Sequence, residues 1–196
     1  MIETERLILR SWRDEDLDPF HAINSHPEVM ATLGPVMSRD EVAALIERVA
    51  AIEAEHEHTF WALERREDAR LIGWCGANRS TVGPINGQHE IGWRLARDAW
   101  GMGYVTEAAG ATLGWLFASR RDDAVWAITS TGNTRSRAVM ERLEMRYRSD
   151  LDFSHPKLAE GDPLRPHVTY ALSRVDWEAK LPLPQSPTAR SSSQRS

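Results

Sequence analysis

A chain of 196 residues with 41% hydrophobic content is long enough for one well-buried core and too short to divide in two without a visible linker. Its formal net charge of −5 argues against a general nucleic-acid binder, which needs a basic face to offset phosphate charge. Cys75 is the only cysteine, which excludes an intramolecular disulfide, and the opening Met1-Ile2-Glu3-Thr4-Glu5-Arg6 carries acids where an export signal carries bases, so a cytoplasmic protein is expected.

The first predicted strand is Arg6-Leu7-Ile8-Leu9-Arg10-Ser11-Trp12, short, apolar and bracketed by charge. Asp14 and Asp16 offer N-cap chemistry to a helix ending at Asn24, and Pro27 with Gly34-Pro35 marks a loop. Ser38 and Glu41 form a capping box ahead of Val42, Leu45, Ile46, Val49 and Ile52, which recur at helical spacing. Residues 58–65 and 70–78 read as a hairpin around the charged turn Arg65-Arg66-Glu67-Asp68, with Cys75 a small buried thiol in the second strand. A strand from Glu90 to Leu95 then leads to Gly101-Met102-Gly103. Beyond it lie an Ala- and Leu-rich helix from Val105 to Ser119, a strand from Asp123 to Ser130, a helix over 134–144, and strands over 146–153 and 167–173.

The order βααβββαβαββ predicts an α/β (α+β) fold with one mixed sheet, in a single domain over residues 1–178. Residues 179–196, rich in Pro and Ser, lack the apolar content to order themselves and read as a disordered tail. The apolar run from Ala108 to Ala118 is shorter than the ~20 residues that cross a bilayer, so no membrane partner is expected.

The chemistry concentrates in Trp100-Gly101-Met102-Gly103-Tyr104-Val105-Thr106-Glu107-Ala108, between a strand and a helix. Two glycines one residue apart let the backbone turn sharply and present bare N–H groups, and the following helix N-terminus adds partial positive charge. Such a loop suits a pyrophosphate. A dinucleotide fold needs a third glycine where Thr106 stands, and a P-loop needs Gly-Lys-Ser/Thr; neither motif is met.

Together, Glu90-Ile91-Gly92-Trp93-Arg94-Leu95, the Trp100 to Ala108 segment, Asn133-Thr134-Arg135-Ser136-Arg137-Ala138-Val139 and the closing Val168-Thr169-Tyr170-Ala171-Leu172 resemble the GCN5-related N-acetyltransferases (GNAT), in the branch that holds the RimJ and RimL ribosomal-protein acetyltransferases. The opening Thr4-Glu5-Arg6-Leu7-Ile8-Leu9-Arg10 is similar to that branch as well. The resemblance implies a mostly antiparallel sheet and acetyl-coenzyme A as acyl donor, with no metal. It implies backbone N–H groups from Gly101, Met102, Gly103, Tyr104, Val105 and Thr106 on the pyrophosphate, and the edge Trp93-Arg94-Leu95 beside the pantetheine. Asn133 and Ser136 would lie near the sulfur, and Arg137 and Arg142 near the adenosine phosphates. Two positions depart from the family: Met140 stands where a tyrosine acid is common, and Glu144 where glycine is usual. Ser136, or water, then takes the acid's role.

An amine with pKa about 8 to 10 must lose a proton before it attacks, whereas a thiolate leaves readily, so a base matters more than an acid. Glu90 is the first candidate base and His89 the second. The acceptor side is expected over residues 26–37 and 152–167, with a primary amine, on a protein N-terminus or a small molecule, as partner to a monomer or homodimer. A non-catalytic acyl-CoA-binding module is the reading from another class.

Overall fold

The computed structural model describes residues 1–180, so nearly all of the predicted tail lies outside the described residues. The chain begins with β1 (Ile2–Glu3) and β2 (Leu7–Arg10), then α1 (Leu17–Asn24), α2 (Pro27–Met30) and α3 (Arg39–His56). It continues through β3 (Phe60–Arg65), β4 (Arg70–Arg79), β5 (His89–Leu95), α4 (Tyr104–Ser119), β6 (Ala124–Ser130) and α5 (Thr134–Arg142). The last elements are β7 (Arg146–Tyr147), β8 (Phe153–Ser154), β9 (Pro166–Ser173) and α6 (Arg174–Glu178). One sheet runs β1-β2-β3-β4-β5-β6-β9-β7, with β8 also on β9. Every pairing is antiparallel except β5 with β6.

Local chemistry accounts for these elements. The Ser38 hydroxyl accepts the Glu41 N–H at 3.3 Å and the Glu41 carboxylate accepts the Ser38 N–H at 2.7 Å, the capping box read from sequence. The α4 stripe Ala109, Thr112, Leu113 and Leu116 is buried, its small residues letting the helix lie close to the sheet. The Cys75 thiol is buried 3.9 Å from the Thr112 hydroxyl, and burial pushes its pKa up to about 12, as befits a packing residue. On the opposite face Phe20 of α1 packs on Trp12 and Trp74.

Four features differ from the sequence reading. Pro27 opens the short helix α2 instead of a loop, using its fixed φ at the first helical position. Asp16 does not cap α1 with its side chain, because it is engaged by Arg10. The strand expected over 146–153 breaks into β7, a 3-10 turn and β8: the Thr169 carbonyl accepts the Arg148 N–H and the Thr169 hydroxyl donates to the Leu151 carbonyl, which holds the turn against β9. Finally α6 follows β9, its N–H groups capped by Ser173.

One buried charge cluster ties the sheet to α1. The Arg10 guanidinium grips Asp16 with bonds of 2.7 and 2.8 Å and donates through Nε to Glu64 at 2.6 Å. The bond to Asp16, opposed by burial and reinforced by Glu64, holds Arg10 above its usual range. Removing one partner of a buried pair leaves charge uncompensated. Asp16→Asn is therefore expected to lower unfolding free energy by about 3 kcal/mol, read as a lower urea midpoint; an unchanged midpoint would show that the cluster contributes nothing.

Candidate active site

Strands β5 and β6 meet at a single residue pair, Glu90 with Trp126, and separate beyond it. The edge of β5 from Ile91 to Leu95 is therefore bonded to β4 on one side and open on the other. A cleft of about 600 Å³ fills the gap. Trp93, Arg94 and Leu95 line it from the strand, Gly101, Gly103, Tyr104, Val105 and Thr106 from the loop and α4, and Asn133 and Ser136 from α5. Thr32 and Leu33, just after α2, close the remaining side. Sequence reasoning thus named these residues, which the fold gathers into one cavity. Met102 is not among them: its side chain is exposed, and its carbonyl accepts the Arg6 guanidinium at 3.0 Å.

Both loop glycines take φ of +78°, in the left-handed region that disfavours a Cβ. Gly103 is the N-cap of α4 and provides no capping side chain, so the first-turn N–H groups face the cleft unmasked. The loop is anchored from outside the motif. Glu107 accepts the Thr4 hydroxyl at 2.6 Å, the Arg6 N–H at 3.0 Å and Arg6 Nε at 2.7 Å. Burial opposes its ionisation, but these donors together hold the carboxyl below its usual range.

Glu90 lies where β5 and β6 meet rather than in the cleft lining. Across the sheet it sits between Asn78 of β4 and Trp126 of β6, on the face that also carries Gly92 and Arg94. Burial raises its carboxyl to about 7, partly offset by a hydrogen bond from Ser80. Both its neighbours hold unmatched polarity: Asn78 Oδ1 and Trp126 Nε1 are buried without a hydrogen-bond partner among the described residues. Neither was singled out from sequence, since only the strand register shows that they flank Glu90.

The other candidates separate cleanly. His89 points to the opposite face, with Nδ1 2.8 Å from Asp122 Oδ2 and Nε2 3.0 Å from His58 Nε2, and burial lowers its pKa. It is a buried structural histidine, away from the cleft. Asn133 caps α5 by accepting the Ser136 N–H at 3.2 Å and donates to Thr129 at 2.9 Å. The Ser136 hydroxyl makes no bond among the described residues and faces the cleft. Arg142 lines the cavity but Arg137 turns away to Tyr170 and the Thr131 carbonyl. Arg135, missed from sequence, takes its place and lies 4.6 Å from the Trp100 ring centroid. The signal was available, because Arg135, Val139 and Arg142 share a helix face at i, i+4 and i+7. Met140, in the position of the usual tyrosine, is buried in the core, and Tyr147 is half-exposed and donates to Asp152. No cluster of His, Cys, Asp and Glu able to hold a metal occurs among the described residues.

Residues 6–146 match the family model of an acetyltransferase (GNAT) domain. The chain is 26% identical over 145 residues to the uncharacterized N-acetyltransferase YoaA of Bacillus subtilis strain 168, covering 73% of this chain and 81% of that protein. A GNAT-family acetyltransferase from Bacillus anthracis shares the fold with a TM-score of 0.74 at 22% identity, over 89% of this chain and 98% of that one. RimL, a ribosomal L7/L12 α-N-protein acetyltransferase solved with coenzyme A, does so with a TM-score of 0.70 at 15% identity, over 87% and 95%. With the strand, loop and helix that form the cleft all inside the matched region, the chain belongs to the GNAT family of N-acetyltransferases.

Proposed function

We propose that the protein moves an acetyl group from acetyl-CoA to a primary amine by direct attack in a ternary complex, as a RimJ/RimL-like enzyme acting on a protein N-terminal α-amine or a similar amine. The observation that carries this reading is the open β5 edge running into a double-glycine loop at the N-terminus of α4, with Glu90 at the vertex. An extended pantetheine satisfies the free N–H and C=O groups of Trp93 to Leu95 as an added strand. The N–H groups of Gly101 to Thr106 meet the pyrophosphate, and Arg135 and Arg142 lie across the cleft with charge to offset phosphate.

In the transfer, Glu90 takes a proton from the ammonium, directly or through water. The freed amine attacks the thioester carbon, and a backbone N–H of β5 receives the oxyanion. As the carbon–sulfur bond breaks, the Ser136 hydroxyl hydrogen-bonds the departing thiolate, which takes up the second proton that the nitrogen loses as the amide forms. A carboxyl near 7 is matched to this work at neutral pH.

Calorimetric titration is expected to show acetyl-CoA binding, with none for NADH or ATP, and amine-dependent release of free thiol. Binding without thiol release across an amine panel would establish instead a non-catalytic acyl-CoA-binding module. In Gly101→Ala the methyl group projects into open space at the loop while the backbone keeps a left-handed φ, costing about 1 kcal/mol of stability. Its acetyl-CoA affinity should fall more than about tenfold, through the steric block on backbone approach; wild-type affinity would remove the phosphate-loop assignment.

Glu90→Gln should lower kcat by roughly 10²- to 10⁴-fold and abolish the acid limb of kcat/KM, which in the wild type falls as pH drops below about 7. The same group leaves a signature in stability. Its folded pKa lies above the unfolded value of about 4.3, so between those values the folded state binds the extra proton and stability declines as pH rises. Thermal melts of wild type relative to Glu90→Gln should show that decline between about pH 4.5 and 7. A flat difference would place the carboxyl in ordinary solvent.

A further inference from the structure

Arg94 has a side-chain environment that its place on the cofactor strand does not explain. Its backbone belongs to the open edge, but the side chain crosses to the α1 face, where the guanidinium lies 5.3 Å from the Trp74 ring centroid. Nη1 donates to Asn24 Oδ1 at the end of α1 and lies 3.8 Å from the Met37 sulfur. No carboxylate pairs with it among the described residues, unlike Arg6, Arg10, Arg97 and Arg148. Nε is buried with no partner, and Nη2 also makes no hydrogen bond among the described residues.

Nε and Nη2 form the side-on fork of a guanidinium, the edge that grips a carboxylate through two parallel bonds. The C-terminal end of α1 offers only about half an elementary charge, and only beside Nη1. An apolar residue would pack on Trp74 and Met37 without the cost of desolvating an unmatched charge. Arg94 also lines the cleft, together with Val29 and Leu33 of the region where the acceptor is expected. A single guanidinium on that wall matches a single negative charge, since Arg135 projects from α5 and is occupied with Trp100.

We propose that Arg94 is a carboxylate receptor, so that the preferred acceptor is a primary amine carrying a carboxylate a few bonds away. This rests on the acetyltransferase reading above and narrows its substrate class. Glu90 and Arg94 share a strand face four residues apart, about 13 Å along β5. A free amino acid and a peptide that begins with an acidic residue both present this chemistry.

The test compares acid with amide in matched pairs: free amino acids against their α-carboxamides, and Asp-initiated against Asn-initiated peptides. Each is assayed by thiol release with acetyl-CoA and by calorimetric binding to the CoA-saturated protein. Wild type should favour the acid about 10- to 100-fold in at least one pair, as a charge-assisted bidentate contact warrants. Arg94→Met should bring the ratio near one and Arg94→Lys should restore part of it, and the pair that responds identifies the source of the carboxylate. Thermal melts verify folding, and the lysine variant carries the test if the methionine variant is unstable. Equal use of acid and amide by wild type, or an equal loss for both in the variants, would overturn the proposal. So would a wild-type preference for succinyl-CoA over acetyl-CoA that disappears in Arg94→Met, which would place the carboxylate on the donor. Failure of wild type to bind acetyl-CoA would instead defeat the acetyltransferase reading. Acid-selective binding to the protein without CoA, lost in Arg94→Met, would still sustain the carboxylate site, and its absence would end both.

Discussion

The site depends on one constraint in the sheet: β5 and β6 each spend one edge fully on an outer neighbour, β4 and β9, and share only the Glu90–Trp126 pair between them. Past that pair two rows of backbone N–H and C=O groups face a gap. Such groups need partners, and water in a narrow cleft is readily exchanged for a ligand that runs as an extended strand. The parallel direction matters too. It makes both strands end on the same side, so the loop after β5 and the N-terminus of α5 after β6 open onto the same cavity.

The N-terminal strand then fixes both walls. Arg6 and Thr4 hold Glu107 in the first turn of α4, which sets the glycine loop, while Arg10 holds Asp16 just ahead of α1. The segment around β2, one strand in from the sheet edge, therefore braces both the glycine loop and α1 by charged contacts four residues apart. Their energetics differ. The Arg6 pair is partly exposed and its geometry matters more than its strength, whereas the Arg10 cluster is buried and cannot lose a member cheaply.

Much of this was legible in sequence because local signals and tertiary demands agree. The capping box at Ser38, the alternating hairpin strands and the paired glycines each specify backbone conformation over a few residues. Where nonlocal bonds decide, the sequence was opaque. Residues 146–153 have strand-like composition but bend because Thr169 claims them through the Arg148 N–H and the Leu151 carbonyl. Asp16 looks like a cap and is a salt-bridge partner. Glu144, which stands where glycine is usual in the family, takes the left-handed φ of +59° that glycine favours at a helix exit, beside a contact of 3.2 Å to Lys180. In the site, spacing picked out residues that line one cleft, but nothing in the sequence pairs Asn78 with Glu90 or Glu90 with Trp126. Those are register facts, and register is set across the sheet.

The two faces of the sheet treat polarity differently, and the difference bears on function. Beneath α4 and α5 most polar groups are matched: Thr112 donates to Ala108, Asn133 donates to Thr129, and His89 lies between Asp122 and His58, although its Nδ1 makes no hydrogen bond among the described residues. On the α1 and α2 side, Asn78 Oδ1, Trp126 Nε1 and Arg94 Nε are buried and unmatched. Each such group costs about 1–3 kcal/mol unless something satisfies it. Their types are complementary to one kind of molecule. An amide oxygen and a carboxyl that titrates near neutrality suit an ammonium, and an indole N–H with a guanidinium fork suits oxygen and negative charge. Under the proposed transfer, these unpaired groups are the polarity that the face of the sheet keeps for an amine acceptor.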